Sequence, residues 1–333
     1  MFQNGQRTFT TGNSGGYNFF IFYYNTSFMA KYLVTGGAGF IGSNLVHDLV
    51  KKGNDVIVVD SLHTGNKNLI SDLNVEFYPM RIDEFYRKEK WNDIDGIFHL
   101  GKPSASPMYR QDRNRISEFV DGSIAVLEMA KELGIKMVAA STSSVYNGLE
   151  PPHREDMIIK ITDFYTEVRL FEERLAKVYE DLYGIEWNEM RFFSVYGPRE
   201  EYKRNYANLV TQFLWAMMKD EQPVIYGDGK QKRDFVYVDD VVNALELAMK
   251  SKVNGIFNVG TGKSYSLNEM LDILKKITGK EVEPKYIENP MKNYVMVTQA
   301  STEKAKKELG FEAKISLEDG IRKIYEYYSN VKL

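Results

Sequence analysis

The sequence predicts an α/β fold, a doubly wound parallel sheet followed by a smaller C-terminal α/β substrate lobe. Three observations carry that expectation. From residue 32 onward, apolar runs of strand length alternate with amphipathic helical stretches, a rhythm that builds parallel strands joined by crossover helices on both faces of a sheet. The first such unit is a strand, a glycine loop, a helix and a second strand that ends in an acid. After residue 192 the rhythm shifts to shorter elements broken by turns such as Gly227-Asp228-Gly229. On this basis residues 29–193 form a dinucleotide-binding domain to which 233–262 contribute. Residues 194–232 and 263–333 form the substrate lobe.

Residues 1–28 differ from the rest. They carry one charge, Arg7, and the flexible run Thr11-Gly12-Asn13-Ser14-Gly15-Gly16. They lack the aliphatic core and small-residue cleavage site of a secretory signal. Met29 leads through Ala30-Lys31 into the first strand, so residues 1–28 are expected to be a disordered extension or a translation artefact. Strands are then predicted over Tyr32–Thr35, Asp55–Asp60, Val75–Pro79, Gly96–Leu100, Met137–Thr142 and Glu186–Phe192. Helices are predicted over Phe40–Lys52, Ile116–Leu133 and Asp163–Tyr183. In the later part, helices are expected near Ala207–Lys219, Val238–Lys250, Leu267–Thr278 and Leu317–Tyr328, with a short strand at Pro223–Tyr226.

Composition excludes several functions. A net charge of -3 leaves no global basic field to recruit nucleic acid or anionic lipid. No run of eighteen apolar residues marks a membrane helix. Without cysteine there is no thiolate site, and the four histidines (His47, His63, His99, His153) lack metal-ligand spacing, so no metal is expected.

The chemistry begins at Gly36-Gly37-Ala38-Gly39-Phe40-Ile41-Gly42. Gly36 permits the tight turn, Gly39 lets backbone approach a pyrophosphate, and Gly42 brings the helix close to the strand. The helix start at Phe40 and Ile41 offers free N–H groups and the positive dipole end to phosphate. Asp60 closes the next strand 18 residues beyond Gly42. There a carboxylate accepts both ribose hydroxyls and repels a 2′-phosphate, which favours NAD over NADP.

These motifs continue as His99-Leu100, Ser141-Thr142-Ser143-Ser144-Val145-Tyr146, Tyr165, Arg191-Phe192-Phe193-Ser194-Val195-Tyr196-Gly197-Pro198, Arg233-Asp234-Phe235-Val236 and Phe257-Asn258-Val259-Gly260-Thr261-Gly262. In that order they resemble the extended short-chain dehydrogenases/reductases with a Rossmann fold, specifically the nucleotide-sugar epimerases around UDP-glucose 4-epimerase. The resemblance spans residues 31–330. It implies retained NAD, with Leu100 and Ser141 joining the cofactor contacts. It also implies a tyrosine, Tyr165, that exchanges a proton with a sugar hydroxyl, and a hydroxyl, Thr142, that hydrogen-bonds the same group. A phenol of ordinary pKa about 10 needs a fixed cation nearby for that work. The family supplies a lysine four residues after the tyrosine; this chain has Arg169, with Glu173 a further four residues on in the family's register. Tyr165, Thr142 and Arg169 are therefore the candidate catalytic residues, and Tyr165 and Arg169 also face the cofactor.

For the substrate, the resemblance implies Thr142, Asn208, Leu209, Tyr226 and Arg233, and Ser194 where the family carries asparagine. The family's C-terminal arginine is missing, with Lys292 a substitute. The adenine contact falls at Arg81 or Asp83 and stays unassigned. Thr142 is followed by Ser143-Ser144 rather than by an acid, which argues against dehydration and decarboxylation. The resemblance further implies a cytoplasmic homodimer built through a four-helix bundle of the helices over Ile116–Leu133 and Asp163–Tyr183. Three readings stay open: a 4-epimerase of atypical site chemistry, a related sugar oxidoreductase, and a weakened NAD- or nucleotide-sugar-binding protein.

Overall fold

The structure, a computed structural model, describes residues 29–160, 163–289 and 295–331. The expected extension over residues 1–28 and the substitute Lys292 lie outside the described residues. The first part runs β1 (Lys31–Thr35), α1 (Phe40–Lys51), β2 (Asp55–Val59), β3 (Glu76–Tyr78), α2 (Ile82–Lys88), β4 (Gly96–His99), α3 (Ser106–Gln111), α4 (Asn114–Leu133), β5 (Lys136–Thr142), α5 (Phe164–Tyr183) and β6 (Trp187–Phe192). The second runs β7 (Ser194–Tyr196), α6 (Leu209–Met218), β8 (Val224–Tyr226), β9 (Lys232–Arg233), β10 (Phe235–Tyr237), α7 (Val238–Lys250), β11 (Gly255–Val259), β12 (Tyr265–Ser266), α8 (Leu267–Thr278), β13 (Lys285–Ile287), α9 (Glu303–Leu309) and α10 (Leu317–Ser329).

Seven strands make one sheet in the order β11-β6-β5-β4-β1-β2-β3, parallel throughout. Burial on both faces explains why these strands read as unbroken apolar runs. Successive residues still part company. Leu33, Ile57 and Ile97 point to the layer that holds Val126 and Met129 of α4. Val34, Val58 and Phe98 point to the layer with Leu45 of α1, Leu245 of α7 and Phe257 of β11, the two-residue period of a strand. Strand order reverses between β1 and β4, whose ends meet at Thr35 and His99. At such a switch point the loops diverge and leave a crevice beyond the strand ends.

The later lobe has its own core, in which Val210 and Leu214 of α6, Met270 and Leu274 of α8 and Ile321 of α10 close around Ile225. Its small sheets pair β7 with β10, β8 with β13 and β9 with β12. Helix α5 is fixed at both ends, by a capping box between Asp163 and Thr166 and by Gly184 at φ 70°.

The sequence reading assigned no helix to α2, α3 or α9, which are 7, 6 and 7 residues long. Two turns or fewer are too short for a helical period to register. It also gave no strand to β11, which closes the edge of the main sheet beside β6. Phe257, fully buried there, joins this edge to the core under α7. Phe257→Ala should lower unfolding stability by about 3–5 kcal/mol, read from the urea midpoint.

Candidate active site

The crevice at the switch point is a cavity of about 350 Å³. The glycine loop forms one wall. Gly36 has φ 69°, and a Cβ there would stand 2.6 Å from the Gly101 backbone, so only glycine fits. A Cβ on Gly42 would meet the Gly36 carbonyl oxygen at 2.0 Å. Gly39 stands at the N-cap of α1 with no side chain to cap it and no acid in the first turn. The first amides of the helix, at Phe40 and Ile41, are thereby left to an anion. Gly36, Gly39, Phe40, Ile41, Gly42, Asp60 and Leu100 all line this cavity.

Asp60 is held rather than free. One carboxylate oxygen accepts from the Ala38 N–H at 3.0 Å and the other from the Leu62 N–H at 2.8 Å. Burial pushes its pKa above the usual carboxylate range, and those two amides work against the shift. Each oxygen keeps a lone pair for a donor in the cavity. Arg81 and Asp83 line the same end, but the Asp83 carboxylate is occupied by Arg81 at 2.8 Å and Arg87 at 2.6 Å.

The opposite end gathers residues from three elements. Ser141 and Thr142 end β5, Tyr165 and Arg169 lie one turn apart on α5, and Lys102 and Pro103 follow β4; all six line the cavity. Thr142 caps a short 3-10 turn, accepting from the Ser144 N–H at 3.2 Å. Ser141 turns away, donating its hydroxyl to Glu173 at 2.6 Å. Glu173 is paired with Arg191 at 2.7 Å, a buried bridge between α5 and β6. The Arg169 guanidinium donates to the carbonyls of Ala140 at 2.6 Å and Pro103 at 3.0 Å. Its central carbon lies 5.2 Å from the centre of the Tyr165 ring and 5.1 Å from that of Phe119, cation–π range on both sides. Among the described residues its Nε has no hydrogen-bond partner.

Under this floor sit charges the sequence did not single out. Lys102 and Glu172 form a buried ion pair. His99 bonds the Thr35 hydroxyl through Nδ1 at 2.7 Å. Burial, helped by Lys102 and Arg169, holds the His99 pKa well below that of an ordinary imidazole. Burial likewise holds Glu189 well above the usual carboxylate range, with Glu172 adding to the effect.

Toward the later lobe, Ser194 of β7 and Asn208, the N-cap of α6, line the cavity. The Asn208 amide is fixed at 2.9 Å by the buried Glu200 carboxylate, which also accepts from the Thr211 hydroxyl. Leu209, Tyr226 and Arg233 are not among the lining residues. Leu209 packs against the core of the later lobe, Tyr226 is 40 % exposed on β8, and Arg233 donates to the Lys232 carbonyl at 2.8 Å. The lining adds His63, Thr64, Arg115, Lys203 and Tyr206, whose loop and helix-start positions gave no periodic signal.

Residues 32–260 match the family described as "NAD dependent epimerase/dehydratase family". A Putative UDP-glucose 4-epimerase of Methanocaldococcus jannaschii is 36% identical over 312 residues, covering 90% of this chain and 98% of its own length. The crystal structure of a UDP-glucose 4-epimerase of Thermotoga maritima with UDP-glucose superposes with a TM-score of 0.84 at 34% identity, over 90% of this chain and 98% of that one. A Thermus thermophilus UDP-glucose 4-epimerase in complex with NAD superposes with a TM-score of 0.81 at 27% identity, over 91% of this chain and 100% of that one. With the motifs in register along this fold, the chain is a member of the NAD dependent epimerase/dehydratase family.

Proposed function

We propose that the chain is an NAD-dependent nucleotide-sugar 4-epimerase with Tyr165 as its proton-exchanging group. The observation that carries the reading is that Tyr165 and Thr142 line one cavity with the glycine loop and Asp60. The residues present fit NAD: uncapped helix amides for the diphosphate, and a carboxylate at the end of β2 for the ribose. When bound, NAD supplies a hydride acceptor that can return the hydride to the opposite face of the sugar carbon. The rest is the work of the chain. Tyr165, as phenolate, takes the proton of the sugar hydroxyl and later gives it back, and Thr142 hydrogen-bonds that hydroxyl. Arg169 holds its positive charge against the Tyr165 ring. Ser143-Ser144 after Thr142 provide no acid for elimination, which supports epimerisation over dehydration.

In this reading residues 29–193 with 233–262 hold the cofactor, and 194–232 with 263–333 hold the sugar nucleotide, Ser194 and Asn208 lying on the cavity side. Helices α4 and α5 pack against each other and leave Ile124, Val178, Leu182 and Tyr183 40–66 % exposed. That apolar stripe supports a homodimer in which two such helix pairs form a four-helix bundle.

Assays against UDP- and dTDP-sugars test the enzyme directly. Tyr165→Phe should lower kcat about 10²–10⁴-fold while NAD still copurifies; turnover retained in that variant would overturn the assignment. Arg169→Lys should lower kcat about tenfold, because a lysine ammonium does not reproduce a planar fork set on two carbonyls. A rise in kcat would instead mark the natural site as impaired. Leu182→Lys should convert the dimer to monomer in light scattering, with the melting temperature of the fold largely kept.

A further inference from the structure

Two buried cations share one oxygen beneath the cavity. Lys102 Nζ is 3.0 Å and Arg169 Nη1 2.6 Å from the Ala140 carbonyl oxygen, and the Lys102 side chain is only 2 % exposed. Like charges this close in a dry site repel strongly, and an anion must offset them. Glu172 is that anion. It is fully buried, lies three residues after Arg169 on α5, and takes the Lys102 ammonium on one oxygen. The Ser123 hydroxyl donates to its other oxygen at 3.0 Å, and His99 Nε2 stands 3.5 Å away.

The other ionisable groups packed on this cluster add no net charge. Burial lowers the His99 pKa on β4 and raises that of Glu189 on β6, driving each toward its neutral form. Burial also raises Tyr109 on α3, which stays a phenol. Glu173 on α5 is closed off by Arg191. Besides Tyr165 itself, the charges left are Lys102, Arg169 and Glu172, two positive and one negative.

We propose that Lys102 and Glu172 are positioning residues for the Tyr165 chemistry: Lys102 occupies Glu172, and so keeps it from closing an ion pair with the Arg169 guanidinium beside the Tyr165 ring. Without Lys102, the Glu172 carboxylate has Arg169 as its nearest remaining cation, drawing the guanidinium off the Ala140 and Pro103 carbonyls. Without Glu172, both cations act on Tyr165 together. The inference rests on the epimerase reading, since it is stated for the proton transfer that reading requires.

The test measures kcat from pH 6 to 10, NAD content and melting temperature for the parent, Lys102→Met, Glu172→Gln and the double variant. In Lys102→Met the rising limb of the pH profile should move up by about one unit, a tenfold change in proton affinity. In Glu172→Gln it should move down by about as much, and in the double variant it should return to the parent position. Melting should fall in Lys102→Met and recover in the double variant, a readout that needs no turnover. Loss of the fold alone would not shift the two profiles in opposite directions. Profiles that coincide with the parent, or both move the same way, overturn the proposal. A parent that turns over no nucleotide sugar instead sinks the epimerase reading, and the melting arm alone then decides whether the pair is coupled.

Discussion

The site is built around charge taken out of water. An isolated buried ion costs several kcal/mol even after the protein relaxes, and four ionised side chains, Lys102, Arg169, Glu172 and Glu173, lie below 5 % exposure around one helix. Each is compensated differently. Glu173 has a two-pronged partner in Arg191, which also joins α5 to β6. Glu172 has Lys102. Arg169 has no carboxylate within ion-pair distance among the described residues; it is held by two carbonyl dipoles and two aromatic faces. Neutral acceptors fix a guanidinium without cancelling its charge.

The sheet makes this arrangement possible. Strand order reverses between β1 and β4, so the loops after them part and open a crevice above Thr35 and His99. The same hydroxyl that bonds His99 also accepts the Gly101 amide at 2.9 Å. The turn that brings Gly101 against Gly36 is thus tied to the residues that follow it, Lys102 and Pro103.

The periodic features of this architecture could be read in the sequence. Strand and helix spacing located the six strands that alternate with the first helices, and the bounds of α7 and α8 fall where the pattern put them. Short helices and β11 escaped, because period needs length. In the site, the glycine loop and Asp60 were legible since backbone conformation and helix ends impose residue types at fixed spacing. The Lys102–Glu172 pair was not. Its partners lie 70 positions apart, and each alone looks like a surface charge; only the fold reveals that both are buried. The substitution of arginine at position 169 was visible, but not its consequence, which depends on where two carbonyls happen to point.

That consequence alters how the departure from lysine is understood. A bulkier cation in the same register might be expected to crowd the nicotinamide side of the cavity. Here the guanidinium is instead folded down between Phe119 and Tyr165, its N–H groups turned to the backbone of β5 and the loop after β4. It still lines the cavity, with its charge beside the Tyr165 ring. The ammonium that lines the cavity belongs to Lys102, on a different element. A helix residue and a loop residue thus bring two cations to one carbonyl, that of Ala140, at the floor of the cavity.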